Sequence, residues 1–255
     1  MTRISSIATL AALTALSAAP AHAGIFDRTP TDGAGVYVSC FVGVAVPFDA
    51  DFDGTQNPDV GVPGAAGAAA SIDANLDSDV FFGGAVGGRL PFKFLKTFQP
   101  RIELEVSHFE SDVSSGEFNG GDQTFSGDQS QTFIFLNSFS EIRWKEKQKV
   151  VPYFGGGIGL GIIDSDIQYF PNNTVFTAPN FAVQGQDTAF ATVSTLGVAL
   201  NASEKFDIFT EARYLKTYGV DAERRFINAG ADGFSADVDD DPDGLAFTVG
   251  TRFKF

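Results

Sequence analysis

Leu245-Ala246-Phe247-Thr248-Val249-Gly250-Thr251-Arg252-Phe253-Lys254-Phe255 is the stretch that decides the fold. Its odd positions carry Leu, Phe, Val, Thr, Phe and Phe, and its even positions carry Ala, Thr, Gly, Arg and Lys. A strict period of two over this length describes a β-strand with one apolar face and one polar or small face. Upstream the pattern repeats. Arg101, Glu103, Glu105 and Ser107 oppose Ile102, Leu104 and Val106. Asn137, Glu141 and Arg143 oppose Ile134, Leu136, Ile142 and Trp144, and Glu211 and Arg213 oppose Ile208, Ala212 and Tyr214.

Four less polar segments have the same spacing: Val36 to Phe48, Val80 to Leu90, residues 151 to 163 and residues 188 to 200. In the third, Gly155, Gly157, Gly159 and Gly161 share one face, opposite Phe154, Ile158, Leu160 and Ile162. The links alternate in length. Pro91 to Phe98, Glu146 to Val150 and Asn201 to Phe206 are short; Asp49 to Asp79, Glu110 to Ser130, Asp164 to Asp187 and Lys216 to Asp243 are long. Short periplasmic turns and long external loops are the rhythm of an outer-membrane barrel. The expected fold is therefore all-β: a closed, antiparallel, up-and-down transmembrane β-barrel of about eight strands.

The N-terminus places Arg3 before an apolar run from Ile7 to Ala19, then Pro20 and the small-residue site Ala21-His22-Ala23. That order is a secretory signal, so residues 1–23 are expected to be removed and residues 24–255 to form one barrel domain. Nothing after Gly24 is long and apolar enough to span as a helix, and only a closed barrel otherwise satisfies every backbone group in hydrocarbon.

Lys and Arg number 17 against 32 Asp and Glu, a net charge of −15. Nucleic acid selects basic surfaces, so it is excluded as a partner. The single cysteine, Cys40, rules out an internal disulfide and a multi-cysteine zinc site.

Alternation alone does not tell a membrane barrel from a soluble one, whose faces are reversed. The strand charges do. Arg101, Arg143, Arg213, Arg252 and Lys254 nearly balance Glu103, Glu105, Glu141 and Glu211. Mixed charges facing a narrow lumen can pair, whereas charges facing lipid cannot. A lumen plugged by a salt-bridge network follows, with the many phenylalanines turned toward lipid and Trp144 and Tyr214 at the membrane interface.

These strands resemble the small eight-stranded outer-membrane barrels, namely the OmpA transmembrane domain and opacity-type surface proteins. The resembling segments are Arg101-Ile102-Glu103-Leu104-Glu105, Pro152-Tyr153-Phe154-Gly155-Gly156-Gly157-Ile158-Gly159, Glu211-Ala212-Arg213-Tyr214 and the terminal Phe253-Lys254-Phe255. The resemblance implies the outer membrane of a Gram-negative bacterium. It also implies that Phe253 and Phe255 are an assembly signal read by the barrel-assembly machinery. Lipopolysaccharide and an extracellular molecule are the partners it implies, and it brings no shared catalytic motif.

Two external links carry Asp-x-Asp-x-Asp-Gly: Asp49, Asp51, Asp53, Gly54 and Asp239, Asp241, Asp243, Gly244. Alternate carboxylates followed by glycine begin a calcium loop. The twelfth positions are Val60 and Gly250 rather than Glu, so neither is an EF-hand; Ca2+ bridging lipopolysaccharide phosphates is the expectation these aspartates allow. Ser107, His108 and Glu110 are the nearest approach to a lipid A deacylase site, but neighbours on a strand point to opposite faces, so Ser107 and His108 make a poor nucleophile–base pair. The expectation is a structural or surface-interaction barrel and no enzyme, with a narrow solute channel as the alternative and a lipid A-modifying enzyme as the weaker one.

Overall fold

The computed structural model describes residues 34–57, 67–118, 121–145, 147–171, 178–227 and 235–255. The signal segment and its cleavage site lie outside the described residues. Twelve strands and no helix make up the described chain. In order they are β1 (Gly35–Pro47), β2 (Ala50–Gln56), β3 (Ile72–Leu76), β4 (Asp79–Arg89), β5 (Phe98–Phe118), β6 (Gly121–Ile142), β7 (Val150–Phe170), β8 (Phe181–Asn201), β9 (Phe206–Tyr218), β10 (Val220–Phe226), β11 (Ser235–Asp240) and β12 (Asp243–Lys254).

All ladders are antiparallel, and they close on themselves. β1 pairs with β12, then β9, β8, β7, β6, β5 and β4 follow in turn, and β4 returns to β1. Toward the other end β5 to β8 continue, and the circuit from β8 to β5 runs through β10, β11, β2 and β3.

The count of twelve differs from the expected eight because four strands are interrupted at one level. Pro242, between β11 and β12, has no amide to give a ladder. Gly219, between β9 and β10, takes a φ of 65° and gives its N–H to Asp241 Oδ1 at 2.7 Å. Phe48-Asp49 and Asp77-Ser78 make the other two breaks.

The long links expected as loops are largely strand: β2, β3, β10, β11 and the far halves of β5 to β8 fill them. Their outward side chains are polar, with Asp51, Asp53, Asp73, Glu117, Asp221 and Asp237 among them, so the polar and apolar faces are reversed relative to the membrane strands. Their inward side chains bury Phe52, Ile72, Phe125, Ile167, Phe181 and Val238 in an apolar cluster.

Nearer the chain ends the outer surface is apolar. On β7 it runs from Val150 through Phe154, Ile158 and Leu160 to Ile162 before Asp164. Twelve steps of about 3.4 Å, tilted by about 40°, span about 30 Å, which is the thickness of a hydrocarbon core.

The phenylalanines divide between the two faces, which corrects their assignment to lipid alone. Phe41, Phe81, Phe109, Phe133, Phe135, Phe139 and Phe209 are all at most 5% exposed and point inward. The inward glycines of β7 make room for the rings of β6: a Cβ on Gly155 would meet the Phe139 ring at 2.7 Å, and one on Gly159 would sit 1.9 Å from the Ile134 carbonyl oxygen. Gly159→Ala therefore has to push β6 and β7 apart. It is expected to cost about 1–3 kcal/mol, the usual penalty of overpacking, measured as the urea unfolding midpoint in detergent.

Candidate functional site

Strand alternation places every charge of the expected network on the inner face. Arg101, Glu103, Glu105, Glu141, Arg143, Glu211, Arg213 and Arg252 are between 0 and 8% exposed. Lys254, beside the terminus, keeps a side chain 16% exposed and binds Asp207 at 2.7 Å.

The charges form two linked groups rather than one level set. Glu141 is the hub of the larger. Arg89 lies 2.9 Å from it and Arg143 2.7 Å, with Arg101 at 3.8 Å and Arg252 at 3.9 Å. Arg89 also reaches Asp207 at 2.7 Å. In the second group Arg213 joins Glu105 at 2.6 Å and Glu211 at 2.5 Å. Asn137 donates to Glu105 at 2.9 Å, and Ser107 donates to it at 3.1 Å.

Two tyrosines brace the network, and Tyr153, bonded to Glu211 and lying under the Arg101 guanidinium, connects its two groups. Tyr37 donates its hydroxyl proton to Glu103, and Tyr153 donates to Glu211 at 2.6 Å. The Arg101 guanidinium sits over the Tyr153 ring at 4.6 Å and the Phe139 ring at 4.2 Å. Arg213 stacks on Phe41 at 4.3 Å, and Arg252 on Tyr37 at 4.8 Å and Phe209 at 5.0 Å. Guanidinium planes suit this because they are weakly hydrated and accept an aromatic face while pairing at the edge.

Sequence reasoning missed four members: Arg89, Asp207, Tyr37 and Tyr153. Arg89 and Asp207 stand at strand ends, where alternation is short, yet each lies two residues from an inward neighbour, Gly87 and Phe209. That spacing was the available signal. The two tyrosines share the inward faces of β1 and β7 with residues that carry no charge.

The interior is layered. Phe139, Phe41 and Phe209 lie among the charges, and above them come Phe81, Phe109 and Phe133 with Leu215. A polar layer of Ser111, Gln129, Gln131, Ser165, Thr217 and Asp240 comes next, all at most 5% exposed, and the apolar cluster around Phe52 and Phe181 closes the far end.

The acidic motif takes another form. Asp51 and Asp53 lie on β2 and Asp239 on β11, with Asp49 and Asp241 in the breaks and Asp243 opening β12. Two-residue spacing that begins a calcium loop is also the spacing of one strand face, and Ala50 and Phe52, 1% exposed, alternate with the acids. Asp53 faces Asp239 across the ladder, so the two motifs are neighbours. Outward carboxylates on one strand stand about 7 Å apart and diverge. Among the described residues no three His, Cys, Asp or Glu side chains are placed to hold a metal ion.

Ser107 and His108 point to opposite faces. Ser107 is 1% exposed inside the barrel, while His108 meets Thr132 Oγ1 at 2.8 Å and the Phe82 ring at 5.6 Å on the outside. Glu105, which accepts from Ser107 at 3.1 Å, is paired with Arg213 at 2.6 Å. The opposite orientation leaves Ser107 and His108 without a shared reaction centre. Trp144 is 57% exposed, and Tyr214 donates to Asp243 at 2.5 Å. Phe253 and Phe255 lie on the outer face with ring centroids 5.2 Å apart.

No protein-family model matches the sequence, and no curated protein sequence does either. Solved structures do match. The outer membrane protein OprG from Pseudomonas aeruginosa aligns over 89% of this chain and 99% of its own, with 17% identity and a TM-score of 0.55. The outer membrane protease OmpT from Escherichia coli aligns over 91% and 99%, with 8% identity and a TM-score of 0.52. At such identities the likeness is one of fold: the chain has the fold of outer-membrane β-barrels.

Proposed function

We propose that the chain is a structural and surface-interaction barrel of a Gram-negative outer membrane, with an interior closed to solutes. The twelve strand segments act as eight staves, four continuous and four hinged, anchored by the apolar belt. The far halves project above that belt and offer polar walls to lipopolysaccharide or an extracellular molecule. Phe253 and Phe255 serve as the assembly signal.

The observation that carries this reading is the interior. Charges, stacked aromatic rings, a polar layer and a second apolar cluster succeed one another along the axis, and an eight-stranded interior is only wide enough for such side chains. Among the described residues the carboxylates of the interior network are held by arginines, which supports a structural rather than a catalytic role for that network.

Planar bilayers test it. The reconstituted chain is expected to stay electrically silent. Stable unitary conductance steps would overturn the closed interior in favour of a narrow diffusion channel.

A further inference from the structure

Seven of the eight lysines in the sequence stand at one rim of the barrel, the end of the short turns. Lys93 and Lys96 occupy the β4–β5 turn, Lys145, Lys147 and Lys149 the β6–β7 turn, and Lys205 the β8–β9 turn beside Lys254. Backbone hydrogen bonds join these turns into one arc: Arg143 N donates to the Thr97 carbonyl, Asn201 N to that of Lys149, and Lys254 N to that of Lys205. Among the described residues Glu204 is the exposed carboxylate there. Meanwhile the inward cations are arginines paired inside the barrel, joined at the mouth by Lys254, whose ammonium is held by Asp207. The opposite end is acidic on its outer face, with Asp51, Asp53, Asp73, Asp221, Asp237 and Asp239.

The lysine arc also exposes large apolar groups. Leu95 is 85% exposed, Phe255 75%, and Phe94 and Trp144 57% each. Leu95, Lys96 and Lys147 hold left-handed φ values of 49°, 61° and 53°, and among the described residues these are the non-glycine positions that do so. Such conformations persist where the surroundings hold them.

We infer that this rim binds the headgroups of anionic glycerophospholipids in the leaflet it faces; the inference rests on the membrane reading above. The chemistry is complementary at two depths. Ammonium groups meet phosphates that lack a compensating cation, while Trp144, Phe94 and Leu95 enter the interface and continue the apolar belt. A soluble acidic partner would need the lysines and not these rings. Zwitterionic headgroups carry no net charge and gain little from the lysines.

Trp144 is the only tryptophan and stands inside the arc, next to Lys145. The full chain is reconstituted in phosphatidylcholine vesicles with an equal minor fraction of acyl-brominated phosphatidylglycerol or acyl-brominated phosphatidylethanolamine, and quenching of Trp144 is recorded. The anionic lipid is expected to quench about threefold more strongly at low salt. Raised salt, and separately the triple variant Lys145→Gln, Lys147→Gln, Lys149→Gln, should bring the two lipids to near equality. Equal quenching in the unaltered chain, or a preference that survives both treatments, would overturn the inference. Absence of quenching by either lipid would instead overturn the membrane reading, and the inference with it.

Discussion

Replacing Glu141 by alanine is expected to lower the unfolding free energy by about 3–5 kcal/mol, the range found when one partner of a buried ion pair is removed. Four arginines stand within 4 Å of this carboxylate, and it is fully buried. Its loss leaves Arg89, Arg101, Arg143, Arg213, Arg252 and Lys254 facing only Glu103, Glu105, Asp207 and Glu211. The stranded charges then dominate over the lost volume, because the cost of an unpaired cation in a low-dielectric interior exceeds that of a small cavity. Urea titration of the folded chain in detergent measures it. Arg143, nearer the mouth at 8% exposed, is the comparison: Arg143→Ala should cost clearly less. The double variant Glu141→Ala, Arg89→Leu should recover part of the loss. Equal midpoints for Glu141→Ala and the unaltered chain would mean that the network is not what holds the interior.

Asp240→Asn is expected to stabilise the chain increasingly as pH rises above about 4, with the full effect reached above about 7. Asp240 ends β11 above the apolar belt, is 5% exposed, and its Oδ2 has no hydrogen-bond partner. Burial pushes its carboxyl from the ordinary 3.8 up to about 7; the carboxylates of Asp51 and Asp241 add to the rise, and hydrogen bonds from their backbone amides oppose it. The sign follows from proton uptake. Below about pH 4 the group is protonated in both the folded and unfolded states, and the stability of the neutral form is fully present. Between about pH 4 and 7 the unfolded chain releases its proton first, and stability falls. Above 7 the accumulated penalty reaches about 4 kcal/mol, from roughly three pH units at 1.36 kcal/mol each. The asparagine variant should therefore unfold at higher urea than the unaltered chain at pH 8 and at nearly the same urea at pH 4. A difference equal at both pH values would remove the ionisation from the explanation.

The fold was legible where one strand face is polar and the other apolar. β5, β9 and β12 could be read residue by residue, because Arg101, Glu103 and Glu105 or Glu211 and Arg213 leave one consistent assignment of inside and outside. The far halves were not legible for a related reason. Around Asp51-Phe52-Asp53 and Asp237-Val238-Asp239 the outer face meets water instead of lipid, and its aspartates imitate a metal loop. The inward phenylalanines escaped notice because an aromatic ring suits either lipid or a glycine-lined interior. What separates the cases lies on the neighbouring strand: Phe139 faces inward against Gly155, and Phe135 beside Gly159. The network's hub required pairing across the barrel. Glu141 meets Arg143 through their shared face on one chain segment, but Arg89 is 52 residues from Glu141, and the Asp207 that Arg89 also binds is 118 residues from Arg89.

Which face meets lipid is the claim on which the rest depends, and Cys40 tests it without any substitution. It is the only cysteine, it lies on the outer face of β1, and Thr251 beside it is also outward. A nitroxide attached there in the vesicle-reconstituted chain reports collisions with oxygen, which concentrates in hydrocarbon, and with a water-soluble nickel chelate. Strong oxygen relaxation with weak relaxation by the chelate is the expected result. The reverse ranking would place the apolar face in water and contradict the account.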